Sequence, residues 1–225
     1  DLLYLQYTGG TTGLSKGAIL THRNLVANII QITTFLGARI KEGEEVVVTA
    51  IPLYHIFALM VNCLSYFSKG GRNVMITNPR DMPGFVQTLG NYRFSVITGV
   101  NTLFNGLLHT PGFAELDFSA LKLSAGGGTA IQEAISNKWR EVTGQHITEG
   151  YGLSETSPVV TFNLAGRDEF TATIGIPMPS TDVTLRDDDG NEVAMGEPGE
   201  LCVKGPQVMV GYWRKPEETA AVTTA

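Results

Sequence analysis

Between Tyr7 and Gly17 the chain reads Tyr-Thr-Gly-Gly-Thr-Thr-Gly-Leu-Ser-Lys-Gly, which places four glycines, three threonines and one lysine in eleven positions. That mixture suits the holding of a polyanion. Gly9, Gly10, Gly13 and Gly17 let successive backbone N–H groups turn toward one anion. The hydroxyls of Thr8, Thr11 and Thr12 add donors, Lys16 supplies a mobile positive charge, and Tyr7, Leu14 and Ser15 complete the stretch. ATP satisfies all of these groups at once. The spacing is not that of the Walker loop, in which Lys follows Gly and precedes Ser or Thr, because Lys16 stands between Ser15 and Gly17. A flexible surface turn would use the same residue types, so the stretch needs a companion.

Residues 149–156, Glu-Gly-Tyr-Gly-Leu-Ser-Glu-Thr, provide one. Tyr151, freed by Gly150 and Gly152 on either side, can present its ring face to an adenine; Ser154 can donate to a phosphate; Glu155 can ligate a hard cation such as Mg2+ through oxygen. A turn with an exposed tyrosine and a capping serine is the alternative. Gly126, Gly127 and Gly128 close a predicted strand, where they would let a bulky group come near the backbone or would simply make a tight turn. His55, in Pro-Leu-Tyr-His-Ile-Phe at the start of an apolar helix, reads on residue type alone as a core histidine. His22, His109 and His146 lack the spacing of a zinc site, and Asp187 to Asp189 lack that of a calcium loop.

The stretch from Tyr7 to Ala18 resembles the phosphate loop of the adenylate-forming superfamily, which holds acyl-CoA synthetases, luciferases and the adenylation domains of peptide synthetases. Residues 149–156 resemble the same superfamily's second signature, with Ser154 where most members carry Thr. The resemblance extends through residues 52–57, 123–128 and 199–213, and the glycine at position 9 is similar to bacterial long-chain fatty acid CoA ligases. It implies ATP, Mg2+ and CoA as cofactor or co-substrates, and a fatty acid that is activated to an acyl-adenylate and then passed to the CoA thiol. Implied roles are adenine stacking by Tyr151, metal binding by Glu155, a position beside the acyl carboxylate for His55, and a border between adenine and acyl pockets for Gly126 to Gly128. It also implies that the chain is an internal piece of the large domain, without the ribose-binding Thr-Gly-Asp or the C-terminal domain with its adenylation lysine. Such a piece is expected to hold ATP or AMP weakly and to turn nothing over. Aryl-CoA ligases, luciferase-like enzymes and amino-acid adenylation domains share these motifs; the absence of any acid between Val46 and Ser68 counts against an amino-acid substrate.

Composition is compatible with this. A chain of 225 residues, 43% hydrophobic and 17% charged with net charge −6, reads as a mildly acidic globular protein without the positive field that nucleic acid requires. Cys63 and Cys202, far apart in apolar surroundings, read as buried free thiols in a reducing cytoplasm. Residues 46–68 carry no Asp, Glu, Lys or Arg, yet Pro52, Tyr54, His55 and Asn62 interrupt them, so a buried strand and a buried helix are expected there instead of a membrane span. Peripheral contact with the inner membrane is compatible with a fatty acid substrate.

The elements that must position these residues follow from periodicity. A strand over residues 1–7 leads into the loop, and a helix capped by Thr21 runs through Leu25, Asn28, Ile29, Ile32 and Phe35 to Gly37. Strands at 46–50, 73–77, 94–98 and 121–124 then alternate with helices at 54–67, 83–89, 102–108 and 131–142. This predicts an α/β fold, an open and mainly parallel sheet with helices on both faces, over residues 1–166. Short strands at 182–186 and 199–203 predict a small β-rich subdomain, a partial barrel, over 167–225.

Overall fold

The computed structural model describes residues 1–8 and 15–223; Gly9, Gly10, Thr11, Thr12, Gly13 and Leu14 lie outside the described residues. Strands β1 (Leu2–Tyr7) and β2 (Gly17–Thr21) pair antiparallel with Tyr7 opposite Gly17. Beyond that pair the Thr8 N–H donates to the Lys16 carbonyl at 2.9 Å, and Ser15 Oγ donates to the Thr8 carbonyl at 2.6 Å. The expected strand into the loop is present, in a two-stranded ribbon separate from the main sheet.

Helix α1 (His22–Leu36) begins at Thr21, where Thr21 Oγ1 accepts from the Asn24 N–H and Asn24 Oδ1 accepts from the Thr21 N–H, a reciprocal cap. Gly37, at φ 51°, ends it. Strand β3 (Val46–Thr49) follows. The next segment departs from the regular helix expected over 54–67: Leu53, Tyr54 and His55 form turns, and Ala58–Leu64 is a π-helix running into α2 (Ser65–Phe67). Asn62 explains the widened turn. Fully buried, it donates through Nδ2 to the Thr49 and Thr98 hydroxyls at 3.0 and 2.8 Å, while the Ser65 N–H and hydroxyl both reach back to the Met60 carbonyl.

Strand β4 (Arg72–Met75), α3 (Met82–Leu89), β5 (Val96–Gly99), α4 (Asn101–Leu108), β6 (Leu123–Gly126) and α5 (Glu133–Thr143) continue the predicted alternation. Three strands absent from the sequence reading complete the sheet: β7 (Ile147–Gly152), β8 (Val159–Phe162) and β9 (Ile176–Pro177). The spatial order is β4-β3-β5-β6-β7-β8-β9; the first five run parallel, β8 runs antiparallel to β7, and β9 antiparallel to β8. The fold is thus the α/β class expected, with a mixed edge.

Side-chain alternation along the strands divides this sheet into two faces. Val48, Val74, Ile97 and Ser124 point to the face covered by α3, α4 and α5, where Trp139 and Phe85, Phe104 and Phe113 fill the core. Val47, Val96, Leu123 and Ala125 point to the face covered by α1 and the π-helix, against Ile32, Leu36 and Tyr66. Three buried amides attach α1 to later parts of the chain. Asn24 donates to the Pro206 and Val208 carbonyls, Asn28 exchanges hydrogen bonds with the Val159 backbone, and Gln31 donates to the Pro179 carbonyl and to Gln207 Oε1.

Strands β10 (Asp182–Arg186) and β11 (Glu200–Lys204) form a second ribbon, whose aspartate-rich turn is closed by Asp187 Oδ1 accepting from the Asp189 and Asn191 N–H groups. Residues 209–213 then return as a strap along β2, with the Ile19 N–H donating to the Gly211 carbonyl and the Trp213 N–H to the Gly17 carbonyl, both at 2.8 Å. Helix α6 (Pro216–Ala220) follows the strap. Cys63 and Cys202 are free thiols, half-buried where full burial was expected. Among the described residues no helix is long and apolar enough to cross a membrane.

Candidate functional site

Thr8, at the edge of the first chemistry-bearing stretch, and Tyr151, Ser154 and Glu155 of the second reach one crevice. Ribbon β1/β2 packs against the short turn at Ser154–Thr156 that follows β7, and Gln6 Nε2 donates to the Tyr54 carbonyl at 3.0 Å, fastening β1 beside His55. Thr8, His55, Tyr151, Ser154 and Glu155 line the mouth of a cavity of about 480 Å3. Gly126, Gly127, Gly128, Gly150 and Gly152 line it as well, since they occupy the carboxyl ends of β6 and β7. Ligands in open α/β sheets collect at such strand ends. From there the cavity descends between α1 and the sheet. Its walls are Ile32, Phe35 and Leu36 of α1, Val61 of the π-helix, and Val96, Leu123 and Ala125 of the strands, with Phe162 and Met178 beyond them.

The glycines have a different reason from the one their spacing suggested. A side chain at Gly126 would strike Ile131 at 2.6 Å, one at Gly150 would strike the Phe162 ring, and one at Gly152 would strike the Pro158 carbonyl. Their bareness therefore serves close packing of the protein on itself, and the Tyr151 backbone is tightly paired instead of freed. At Gly127 a Cβ would stand 3.3 Å from the Phe57 ring, at the rim of the cavity. Only Gly128, at φ 77°, needs the left-handed region.

His55 is exposed, not a core residue, and it sits in the turn before the helix. Its Nδ1 accepts the Phe57 N–H at 3.2 Å, which leaves the ring proton to Nε2, and the residue lines the cavity. Glu149 stands apart. Its Oε1 accepts the Ile131 N–H at 2.9 Å, and it lines a separate cavity of about 230 Å3 beside Arg140, His146 and residues 163–171. Burial pushes the Glu149 carboxyl above its ordinary value, against the opposing pull of that hydrogen bond. Tyr7 is largely exposed on β1, and Ser15 and Gly17 serve the hairpin through their hydrogen bonds to Thr8 and Trp213.

Lys16 and Glu155 are joined by residues that sequence reasoning did not single out. Lys16 Nζ lies 3.2 Å from Glu218 Oε2 and 4.8 Å from the centre of the Tyr212 ring. The Tyr212 hydroxyl donates to Glu155 Oε1 at 2.6 Å. Burial first, then the hydrogen bond and charge of Glu155, hold this phenol far above its ordinary pKa, so it remains a donor. The amides Asn24, Asn28 and Gln31 were also missed, although their i, i+4, i+7 spacing marks one helix face. Glu155 keeps one carboxylate oxygen beyond the one held by Tyr212, and among the described residues no group of three or more potential ligands occurs, so a magnesium ion there would take its remaining ligands from phosphates and water. Mg2+ is commonly held in this way, by one or two carboxylates plus substrate phosphates and water.

Residues 1–213 match the family described as AMP-binding enzyme. The chain is 57% identical over 219 residues to a long-chain-fatty-acid–CoA ligase of Escherichia coli O6:H1, covering 97% of this chain and 39% of the relative. It is 34% identical over 223 residues to a feruloyl-CoA synthase of an Amycolatopsis species, covering 99% of this chain and 44% of that protein. The ATP-bound crystal structure of MatB from Rhodopseudomonas palustris superimposes with a TM-score of 0.83 at 30% identity, over 98% of this chain and 43% of its own. The chain thus spans about two fifths of the length of the curated relatives it matches.

Proposed function

Because the chain belongs to the AMP-binding enzyme family, we propose that it carries the nucleotide- and acyl-binding part of a long-chain fatty acid–CoA ligase. The observation that carries this reading is the single cavity whose polar mouth, at Thr8, His55, Ser154 and Glu155, opens into walls of Ile32, Phe35, Leu36, Val96 and Leu123. A fatty acid has one polar end and a long apolar one, and each buried methylene contributes about 0.8 kcal/mol to its binding. No acidic side chain lines the inner part of the cavity, which suits a tail without charge.

In this reading the adenine stacks on Tyr151 while Ser154, Thr8 and the hairpin amides hold phosphate oxygens and Lys16 offsets their charge. His55 directs its Nε2 proton to the acyl carboxylate. That carboxylate attacks the α-phosphorus of ATP, forming the acyl-adenylate and releasing pyrophosphate; the CoA thiol then attacks the acyl carbonyl and AMP departs. Mg2+, held at Glu155, supplies charge neutralisation on the phosphates. The first step asks mainly for positioning and neutralisation of charge, which are what these side chains offer.

Pyrophosphate exchange and thioester formation by the full-length protein with palmitate, ferulate and an amino acid, measured side by side, test the assignment. Palmitate is expected to support both reactions; exchange with ferulate or the amino acid and none with palmitate overturns it. For the 225-residue chain alone we propose weak ATP binding without turnover, which a titration with labelled ATP beside a thioester assay checks.

A further inference from the structure

We propose that Tyr212 is a positioning residue that sets the two nucleotide-handling charges against each other: its hydroxyl orients the Glu155 carboxylate and its ring carries the Lys16 ammonium. The inference rests on the reading of Glu155 as the carboxylate that meets the metal–nucleotide. Tyr212 is only 8% exposed. Its hydroxyl lies 2.6 Å from Glu155 Oε1, and the Lys16 ammonium lies 4.8 Å from its ring centre, within the range of a cation–π contact.

The backbone around it leaves the phenol little freedom. Tyr212 pairs with Ala18 of β2, and its N–H donates to Thr219 Oγ1 at 2.9 Å. The Trp213 N–H donates to the Gly17 carbonyl, one residue from Lys16, and the Met209 N–H donates to the Glu155 carbonyl at 2.7 Å. The strap at residues 209–213 therefore clasps the phosphate hairpin with one edge and the Glu155 turn with the other, and Tyr212 is the side chain common to both. Occupying Oε1 with a fixed donor leaves the other oxygen of Glu155 for a cation, and a hydrogen bond to a metal-binding carboxylate is a contact that raises metal affinity elsewhere. The contact of Lys16 with Glu218 is of another kind. Glu218 is partly exposed, so a triphosphate displaces it readily, whereas the ring of Tyr212 stays beneath the ammonium whether or not nucleotide is bound.

Y212F removes the hydroxyl and keeps the ring; Y212L removes both. The readouts are the Mg2+ concentration that half-saturates binding of a fluorescent ATP analogue, the analogue's affinity without metal, and the thermal midpoint. For Y212F we expect the half-saturating Mg2+ to rise about tenfold or more, with metal-free affinity and thermal midpoint close to wild type. For Y212L we expect the same rise together with a several-fold weaker metal-free affinity; should this variant fail to fold, Y212F decides alone. In an E155Q background Y212F should add nothing to the metal requirement. A wild-type Mg2+ dependence in Y212F, or an effect that persists undiminished in E155Q, overturns the positioning role. If E155Q itself keeps the wild-type Mg2+ dependence, the reading of Glu155 fails and the role of Tyr212 with it, so the two failures are distinguishable.

Discussion

The two faces of the central sheet are built from the same strands, and the cavity opens within the packing of the α1 face. On the α3–α4–α5 face the Trp139 ring packs 4.8 Å from Phe104 and 5.2 Å from Phe113, and its Nε1 donates to Ser124 Oγ. On the α1 face, Val96, Thr98, Leu123 and Ala125 look into the cavity. Neighbours one position apart thus have different duties: Ile97 and Ser124 contribute to stability, whereas Val96 and Ala125 shape the space for a ligand. The cavity persists because the groups that hold α1 off the sheet are polar. Asn28 and Gln31 are satisfied by backbone and side-chain partners around Val159, Pro179 and Gln207 and fix the helix at its distance.

The largest effect should separate the faces by stability. Trp139→Ala removes the centre of the α3–α4–α5 face and is expected to cost about 3–5 kcal/mol in urea unfolding, with Leu123→Ala, on the cavity face, nearer to the low end of about 2 kcal/mol. Equal losses would erase the distinction between the faces. In the opposite direction, Ala125→Leu should change stability by less than about 1 kcal/mol, because space is available for it. It should nonetheless weaken a long-chain adenylate analogue by tenfold or more, since even two displaced methylenes are worth about 1.6 kcal/mol. An acetyl-adenylate analogue should be indifferent to the same change.

The comparison is sharpened beside the cavity, where Lys16 lies against the Tyr212 ring: Lys16→Met removes a charged donor worth about 1.5–3 kcal/mol and should weaken ATP at least tenfold by titration, while leaving the affinity for a free fatty acid unchanged. The smallest effect belongs to Glu149, in the other cavity. Its carboxyl is raised by burial, so its contribution to stability is present in acid and is lost as the pH rises through its folded-state value. Glu149→Gln abolishes that loss: its thermal midpoint should match wild type in acid and exceed it at neutral pH. A midpoint difference independent of pH would contradict the assignment.

How much of this was legible depended on what each stretch had to say. The hairpin and the Tyr151–Glu155 signature were readable as motifs because their residue types are rare in that order; Thr8 of the first and Tyr151, Ser154 and Glu155 of the second line the cavity, whereas Lys16 does not. The alternating strands and helices up to α5 were readable from periodicity. Strand β7 was hidden by Gly150 and Gly152, whose low strand propensity conceals that they are required where Phe162 and Pro158 press on the backbone. The cavity walls were hidden for a deeper reason: alternation says that Val96 and Ile97 are both covered, not that one of them faces empty space. Tyr212 lay in the family-like segment at 199–213 without an assigned role, because its partners, Lys16 and Glu155, lie 196 and 57 residues away, and no local pattern connects them.

A structure of the protein with a long-chain acyl-adenylate analogue tests the central claim most directly. The account predicts the adenine on Tyr151, the phosphate beside Ser154 and Thr8, and the acyl tail running down between α1 and the β5–β6 wall formed by Thr98, Ala125 and Leu123. A tail lying outside that cleft, or a nucleotide seated in the cavity beside Arg140 and Glu149, would contradict it.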